Sequence, residues 1–256
     1  MSNLEEHGPK NLNDPQYISK QYRDAANLTA RISLHQRFGT NPYNWQPWVF
    51  DHFDLPSQCR VLELGCGTGN LWLENLERIP PGWQITLSDQ SKGMVEQARS
   101  SLDGQRPFQF EVIDAQSASF PLESGNFDAV IANHMLYHLA DRPTAFSEIR
   151  RVLKPGGRIL ISDLISDHPT PDFLIQNMDA LVGCLPVQKD EYVGQLLAAG
   201  LEEVAVVEEK PYPNEMMVTD PAVQEFLRHN PEEEERVLAF VGSIRSGMIQ
   251  GTKALE

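Results

Sequence analysis

Gly65, Gly67 and Gly69 alternate directly after an apolar run that ends at Leu64, within the segment VLELGCGTG. Glycine lets a backbone turn sharply, and it lets a ligand approach where a Cβ would clash. An ordinary glycine turn explains two of these residues. Three glycines at this spacing, between a predicted strand and a predicted helix, favour a nucleotide-binding loop.

The spacing of the glycines also bears on which nucleotide the loop would hold. A dinucleotide loop reads G-x-G-x-x-G, whereas here the third glycine comes one place early and Asn70 stands at the dinucleotide position. Glu63 lies two residues before the first glycine. A carboxylate at that place opposes a pyrophosphate because both are negative, but it tolerates the amino group or the sulfonium of S-adenosylmethionine. The loop therefore favours S-adenosylmethionine over NAD.

Two further acids end predicted strands. Asp89 follows the glycine loop by 20 residues, and there it can accept hydrogen bonds from both hydroxyls of a ribose. Its alternative role is to cap the next helix, which Ser91 can do as well. Asp114 lies 25 residues further on and can accept a hydrogen bond from the amine of an adenine, or can simply be solvated. We expect both acids at the same sheet edge as the glycine loop, which favours binding roles.

A candidate catalytic group follows the fourth predicted strand, which ends at Asn133. In a parallel sheet we expect this strand beside the glycine-loop strand, so that its end faces the reactive half of the ligand. His134 is the next side chain and can accept a proton near neutral pH, which predicts a general base for a hydroxyl or an acidic carbon. The alternative is a histidine that shapes the pocket without moving a proton. His138 is assigned to the substrate pocket, with packing or capping as its alternative role.

The elements that must position these residues alternate between short apolar runs and amphipathic segments. This alternation predicts an α/β fold: a Rossmann-like, doubly wound, mostly parallel sheet of six or seven strands. The predicted strands are Arg60–Leu64, Gln84–Asp89, Phe108–Asp114, Phe127–Asn133, Arg158–Ser162 and Glu203–Glu208, and the predicted helices include Lys92–Ser101, Thr144–Leu153 and Glu191–Ala199. The segment LKPGG, which starts at Leu153, is expected to end a helix and turn into a strand.

Three regions are expected along the chain: an N-terminal helical cap or lid over 1–53, the core over 54–210, and a C-terminal helical extension of the same domain over 211–256. The cap is rich in aromatic residues, and we expect it to form a wall of the substrate pocket. The alternative is an ordinary packed extension whose aromatic residues never meet a ligand. The cap residues assigned to the cofactor are Tyr22 and Arg31, and those assigned to the substrate pocket are His35, Arg37 and Trp45.

Composition limits the partners and the compartment. The chain has 21 basic and 36 acidic residues, a net charge of -15, which opposes binding to nucleic acid because that binding depends on neutralising phosphates. The sequence has no apolar run of membrane-spanning length and no signal-peptide pattern. Its three scattered cysteines favour a reducing compartment, so we expect a cytoplasmic protein. It has no CxxC or HExxH motif, and no metal is expected.

Together the motifs resemble those of the class I S-adenosylmethionine-dependent methyltransferases, in the small-molecule group that includes the ubiquinone and menaquinone C-methyltransferases. The resemblance covers residues 58–209 and rests on VLELGCGTG, LSDQSKGM, VIDA, FDAVIANHMLYHL and RVLKPGGRILISD. It implies methyl transfer from S-adenosyl-L-methionine to a small-molecule acceptor, with S-adenosyl-L-homocysteine as product. The predicted cofactor site comprises Glu63, Gly65, Cys66, Gly67, Asp89, Gln90, Met94, Asp114, Ala115 and Asn133.

Members of this family usually close the sheet with a final antiparallel strand. The sequence stops at 251–256, about where that strand would begin, so we expect a seventh strand that is short or absent. Two other functions remain open: a non-catalytic module that binds S-adenosylmethionine or S-adenosylhomocysteine, and a nicotinamide-dependent oxidoreductase, which the glycine spacing and Glu63 disfavour. The acceptor atom (oxygen, nitrogen or carbon) and the oligomeric state are left undetermined.

Overall fold

The computed structural model describes residues 44–172, 186–211, 218–219 and 221–256. The described part of the predicted cap is the stretch from Asn44 onward. The cap residues Tyr22, Arg31, His35 and Arg37 lie outside the described residues, so their predicted roles stay predictions. Within the described ranges, no helix is both long and apolar enough to cross a bilayer.

The described strands form one sheet in the order β3-β2-β1-β4-β5-β8-β7, with the short β6 paired to β5. All of its neighbouring strands run parallel except β8, which is antiparallel to β5 and to β7. The predicted Rossmann-like α/β class is confirmed. The strands are β1 (Gln58–Leu64), β2 (Gly82–Asp89), β3 (Gln109–Val112), β4 (Phe127–Asn133), β5 (Leu153–Ser166), β6 (Val187–Gln188), β7 (Leu201–Pro211) and β8 (Arg245–Lys253).

Helices connect these strands, and their starts follow the expected capping chemistry. Ser91 caps the helix that follows β2, because its side chain accepts a hydrogen bond from the Met94 backbone N–H. Asp141 caps the next long helix in the same way, through the Thr144 N–H. The described helices are α1 (Trp45–Asp51), α2 (Asn70–Leu73), α3 (Lys92–Ser101), α4 (Arg142–Val152), α5 (Lys189–Ala198), α6 (Pro221–His229) and α7 (Glu234–Ser243), with 3-10 turns at Leu76–Arg78, Leu136–His138 and Pro231–Glu233.

The hydrophobic core lies on both faces of the sheet. In β1, Leu62 and Leu64 pack in the cluster on the side of Phe146, whereas Val61 packs in the cluster that contains Trp72. Successive side chains of a strand point to opposite faces, so a strand that is covered on both faces needs apolar residues without alternation. This is why the inner strands were recognisable in the sequence as continuous apolar runs.

The C-terminal region differs from the prediction. We expected a helical extension over 211–256 with a seventh strand short or absent, but α6 and α7 are followed by β8, a nine-residue strand. It lies between β5 and β7, with a register that runs from Arg158 opposite Thr252 to Ile165 opposite Arg245. The strand escaped detection because small residues stand where β5 side chains cross it. A Cβ on Gly247 would lie 2.4 Å from the Ile165 Cδ1, so this inner strand cannot carry a regular apolar pattern.

Candidate functional site

The glycine loop joins the end of β1 to α2, and its backbone conformation depends on glycine. Gly65, Gly67 and Gly69 have φ values of 69°, 53° and 80°, in the left-handed region that other residues rarely adopt. Gly65 also has no space for a side chain, since a Cβ there would lie 2.7 Å from the Met135 Cβ. The loop therefore packs closely against the turn that follows β4, and these two segments form one end of the sheet.

Asp89, at the end of β2, is bound to this loop. Its Oδ2 accepts a hydrogen bond from the Gly67 N–H at 3.1 Å, and its Oδ1 accepts one from the Ser91 N–H at 2.8 Å. Ser91 caps α3, so the alternative role for Asp89 as the helix cap is wrong. Burial raises the pKa of the Asp89 carboxyl, although both backbone N–H groups oppose that rise. The carboxylate therefore lies next to the glycine loop, as the sequence predicted.

Glu63 is a second acid beneath the loop, and it is almost completely buried. Its Oε2 accepts a hydrogen bond from the Trp72 indole N–H at 2.6 Å. Burial, with a smaller contribution from the neighbouring Asp89, raises the pKa of Glu63 to about 8, although the Trp72 hydrogen bond opposes the rise. A carboxylate beside the loop repels a pyrophosphate and attracts a cation, and Glu63 adds to this effect once it is ionised. The acceptor groups at the loop thus fit the charge of S-adenosylmethionine and the diol of its ribose.

The other predicted cofactor residues differ in exposure. Met94 and Ala115 are buried, while Gln90 is exposed. Asp114 lies two residues beyond the end of β3, is exposed, and accepts a hydrogen bond from the Gln116 N–H at 2.9 Å. Cys66 is buried, and burial raises the pKa of its thiol well above the ordinary value. The Cys66 side chain is therefore a neutral part of the loop's packing.

Asn133, at the end of β4, joins the cap segment to the sheet. Its Oδ1 accepts hydrogen bonds from the Trp45 indole N–H at 3.0 Å and from the Ser162 hydroxyl at 2.6 Å. Its Nδ2 donates to the Gln46 Oε1 at 3.0 Å. The first turn of α1 is therefore fixed over the carboxyl end of β4. This arrangement places Trp45, which we predicted in the substrate pocket, beside His134.

His134 has an unusual backbone, with a φ of 53°, which costs about 1–3 kcal/mol for a residue other than glycine. Its N–H donates to the Ser162 carbonyl at 2.8 Å. The centres of the His134 and Trp45 rings are 4.5 Å apart, and the His134 Nδ1 lies 3.8 Å from an oxygen of Asp163. The His138 ring instead packs against Tyr137, with ring centres 4.3 Å apart.

Asp163 and Tyr192 are site residues that the sequence reasoning missed. Asp163 is completely buried in β5, and its Oδ2 accepts a hydrogen bond from the Tyr192 hydroxyl of α5 at 2.9 Å. Burial raises the pKa of Asp163 to about 7, although hydrogen bonds from the Tyr192 hydroxyl and from backbone N–H groups oppose the rise. A signal was present in the sequence, because Asp163 follows the apolar run RILIS just as Asp89 follows ITLS. The sequence reasoning gave no role to Asp163 at the end of this run.

Within the described part of the chain, no three histidine, cysteine, aspartate or glutamate side chains are grouped as the ligands of a metal ion. The expectation of no metal stays a prediction.

The chain matches the family model for a methyltransferase domain over residues 62–161. It is 36% identical over 154 residues to the O-methyltransferase cnsE of Penicillium expansum, a match that covers 58% of this chain and 54% of that protein. It is 34% identical over 110 residues to the demethylmenaquinone methyltransferase of Lactococcus lactis, covering 43% of each. The chain thus spans about half the length of the curated relatives it matches.

A solved structure shows the same fold. It is phosphoethanolamine N-methyltransferase 2 of Haemonchus contortus, in complex with phosphomonomethylethanolamine and S-adenosylhomocysteine. The TM-score is 0.67 at 18% identity, over 91% of this chain and 60% of that chain. With this fold, the glycine loop of β1 and the domain model matched over residues 62–161, the resemblance of this chain to the class I S-adenosylmethionine-dependent methyltransferases is confirmed.

Proposed function

We propose that this protein transfers a methyl group from S-adenosylmethionine to a small-molecule acceptor. The observation that carries the proposal is the junction of β1 and β2, where the Asp89 carboxylate is bound to the Gly67 N–H in a loop of three left-handed glycines. A carboxylate held at a strand end beside such a loop can accept both hydroxyls of a ribose. The net charge of -15 supports a small-molecule partner over nucleic acid.

In this proposal the chain's own residues hold the two halves of the cofactor. Asp89 accepts the ribose hydroxyls, and the glycine loop lets the ligand approach the backbone closely. Glu63 faces this region from below and stabilises positive charge when it is ionised. Asp114 and the backbone of Ala115 serve the adenine, with Gln90 and Met94 beside them. We assign Tyr22 and Arg31 of the cap to the methionine half, as the sequence suggested.

S-adenosylmethionine supplies an already activated methyl group on a positively charged sulfur. The protein therefore has to align the acceptor with that methyl and keep water out, which supplies much of the rate. We assign these tasks to the carboxyl end of β4, where α1 is hydrogen-bonded to Asn133. We assign His134 as the base that removes a proton from the acceptor. Trp45, His138 and the cap residues His35 and Arg37 are assigned to the acceptor pocket.

Calorimetry tests the cofactor assignment. We expect the protein to bind S-adenosylhomocysteine and not NAD, and Asp89→Ala to weaken the binding of S-adenosylhomocysteine by about 2–4 kcal/mol, roughly 30- to 1,000-fold. Glu77→Gln, an exposed change on the same domain, is the matched control and should leave the affinity unchanged. An undiminished affinity in Asp89→Ala would remove that residue from the site, and tight binding of NAD would overturn the proposal.

The release of S-adenosylhomocysteine in the presence of candidate acceptors tests catalysis. A phenol, a hydroquinone and a primary amine cover the three acceptor atoms when carbon methylation of the hydroquinone is distinguished from oxygen methylation by NMR. Binding of the cofactor without turnover on any acceptor, including a metabolite extract, would favour the non-catalytic module.

A further inference from the structure

Asp163 is a buried acid that has no role in the proposed cofactor site. It lies on β5, one strand beyond β4, and its carboxylate receives three donors. The Tyr192 hydroxyl donates to Oδ2 at 2.9 Å, the Leu164 N–H donates to Oδ1 at 2.9 Å, and the Tyr137 N–H also donates to the carboxylate. Donors of this kind stabilise the ionised carboxylate against the cost of its burial. His134 is a further neighbour, and its Nδ1 is 3.8 Å from Oδ1.

His134 is held in this position at a cost. Its φ of 53° is unfavourable for a residue with a Cβ, so the surrounding contacts must impose it. The Ser162 carbonyl accepts its N–H, and the Trp45 ring covers its imidazole. About 30% of the His134 side chain is exposed, whereas Asp163 is buried. Because the two ring nitrogens point in nearly opposite directions, a ring with Nδ1 toward the buried acid turns Nε2 away from it.

We propose that Asp163 is a positioning residue: it holds His134 with the proton on Nδ1 and leaves the lone pair of Nε2 for the acceptor. The proposal rests on the proposed function and narrows it. A base fixed in this way serves an acceptor whose attacking atom must lose a proton, such as an aromatic hydroxyl or an acidic carbon, and is superfluous for a free amine. The flat face of Trp45 beside the imidazole suits an aromatic ring.

The proton moves as follows. The acceptor's proton passes to Nε2 and leaves the bonding pair on the acceptor atom. The resulting imidazolium carries its second N–H toward Asp163, and its positive charge then attracts the carboxylate across the 3.8 Å gap. A separation of 3.8 Å is longer than a hydrogen bond, but catalytic contacts are commonly long without substrate and tighten in the reacting complex.

The groups that face Asp163 determine how the pair titrates. They are His134 after β4, Tyr137 in the following turn, Tyr192 on α5 and Arg142 on α4. Burial raises the pKa of Asp163 to about 7, so the tautomer of His134 has to be measured on both sides of that pH.

The tautomer of His134 can be read without any substrate. Long-range proton–nitrogen spectra of the whole protein, labelled with 15N-histidine, report which ring nitrogen carries the proton between pH 5.5 and 8.5. The chain has seven histidines, and His134→Gln identifies the signal. We expect a proton on Nδ1 in the wild type. In Asp163→Asn we expect the proton on Nε2 and a titration midpoint about one pH unit lower, a tenfold change.

Tyr192→Phe is the matched control, because it removes one donor to Asp163 and keeps the acid beside His134. It should leave the Nδ1–H tautomer in place. An Nε2–H tautomer in the wild type, or an unchanged tautomer in Asp163→Asn, would overturn the proposal, as would the same change in Tyr192→Phe. The first of these outcomes remains readable even if Asp163→Asn does not fold.

Adding S-adenosylhomocysteine separates this inference from the proposed function. We expect it to shift the His134 Nε2 signal of the wild type and to bind Asp163→Asn within about twofold of the wild type. If S-adenosylhomocysteine binds without shifting the Nε2 signal, the proposed position of His134 is contradicted, but the proposed methyl transfer is not. Failure of every protein to bind would contradict the proposed function, and the tautomer result would still stand.

Discussion

Replacing Glu63 by glutamine is expected to stabilise the ligand-free protein at alkaline pH. Glu63 is 2% exposed, and its carboxyl accepts one hydrogen bond, from the Trp72 indole. Glutamine has the same shape and keeps an oxygen for that bond, but it carries no charge at any pH. The change therefore isolates the cost of placing a carboxylate beneath the glycine loop.

The magnitude follows from the pKa of Glu63. Burial raises that pKa from 4.5 to about 8, so the folded protein prefers the neutral acid. Its contribution to stability is fully present below pH 4.5, falls as the pH rises, and is lost once the pH passes about 8. At about 1.4 kcal/mol per pKa unit, the loss reaches about 5 kcal/mol as an upper bound. Asp89, close by, adds to the cost of the charged form.

Thermal unfolding of both proteins at pH 5 and at pH 8.5 measures this effect. We expect equal stability at pH 5 and a higher Tm for Glu63→Gln at pH 8.5. A gain of even 2 kcal/mol corresponds to roughly 4–8 °C in a chain of this size. Glu77→Gln removes an exposed charge and should show no such dependence on pH. If Glu63→Gln gains nothing at pH 8.5, the Glu63 carboxyl is ionised at an ordinary pKa, and our electrostatic account of the loop is wrong.

Three further outcomes are expected. Between pH 7 and pH 9, the affinity of the wild type for S-adenosylmethionine should rise about tenfold more than the affinity of Glu63→Gln, because the cation of the ligand favours ionised Glu63. Calorimetry measures both affinities, and the same dependence on pH in the two proteins would refute this. Gly65→Ala should destabilise the fold by about 1–3 kcal/mol more than Gly104→Ala, since both have φ near 70° but a Cβ on Gly104 would meet nothing within 4 Å; chemical denaturation compares them, and equal losses would exclude a clash with Met135. No duplex DNA should bind at about 150 mM salt in a gel shift, given the charge of -15.

The sequence predicts those elements whose residue pattern matches their burial in the folded protein. The β1 strand is buried on both faces, so its apolar run is visible in the sequence, and the three glycines after it have the positive φ values that their spacing suggested. The same reasoning fails for β8, because Gly247 has no space for a side chain against β5. A search for apolar runs in the sequence cannot detect a strand in which a position requires the absence of a side chain.

At the carboxyl end of β4, the individual residues of the candidate site were predictable from the sequence, but the contacts between them were not. His134 follows β4 as expected, yet its neighbour Asp163 comes from the next strand and its cover, Trp45, lies 88 residues before its own partner Asn133. The Trp48 indole likewise reaches Glu208, 160 residues away. Contacts between residues this far apart in the chain depend on how whole helices and strands pack together. A single sequence does not show that packing, so it does not predict these contacts.

The inner position of β8 has a consequence for how the chain acquires its structure. In its pairing with β5, Arg158 lies opposite Thr252. During synthesis, β5 therefore cannot complete this pairing until a segment nearly a hundred residues further along the chain has been made. Until then the backbone groups on that side of β5 are unpaired, along a stretch that includes Leu160 and Ile161. An open apolar strand edge is a template for pairing with other chains. A nascent or truncated chain without 245–253 should therefore be prone to self-association, and folding of the finished chain should be slowed by this late, long-range closure.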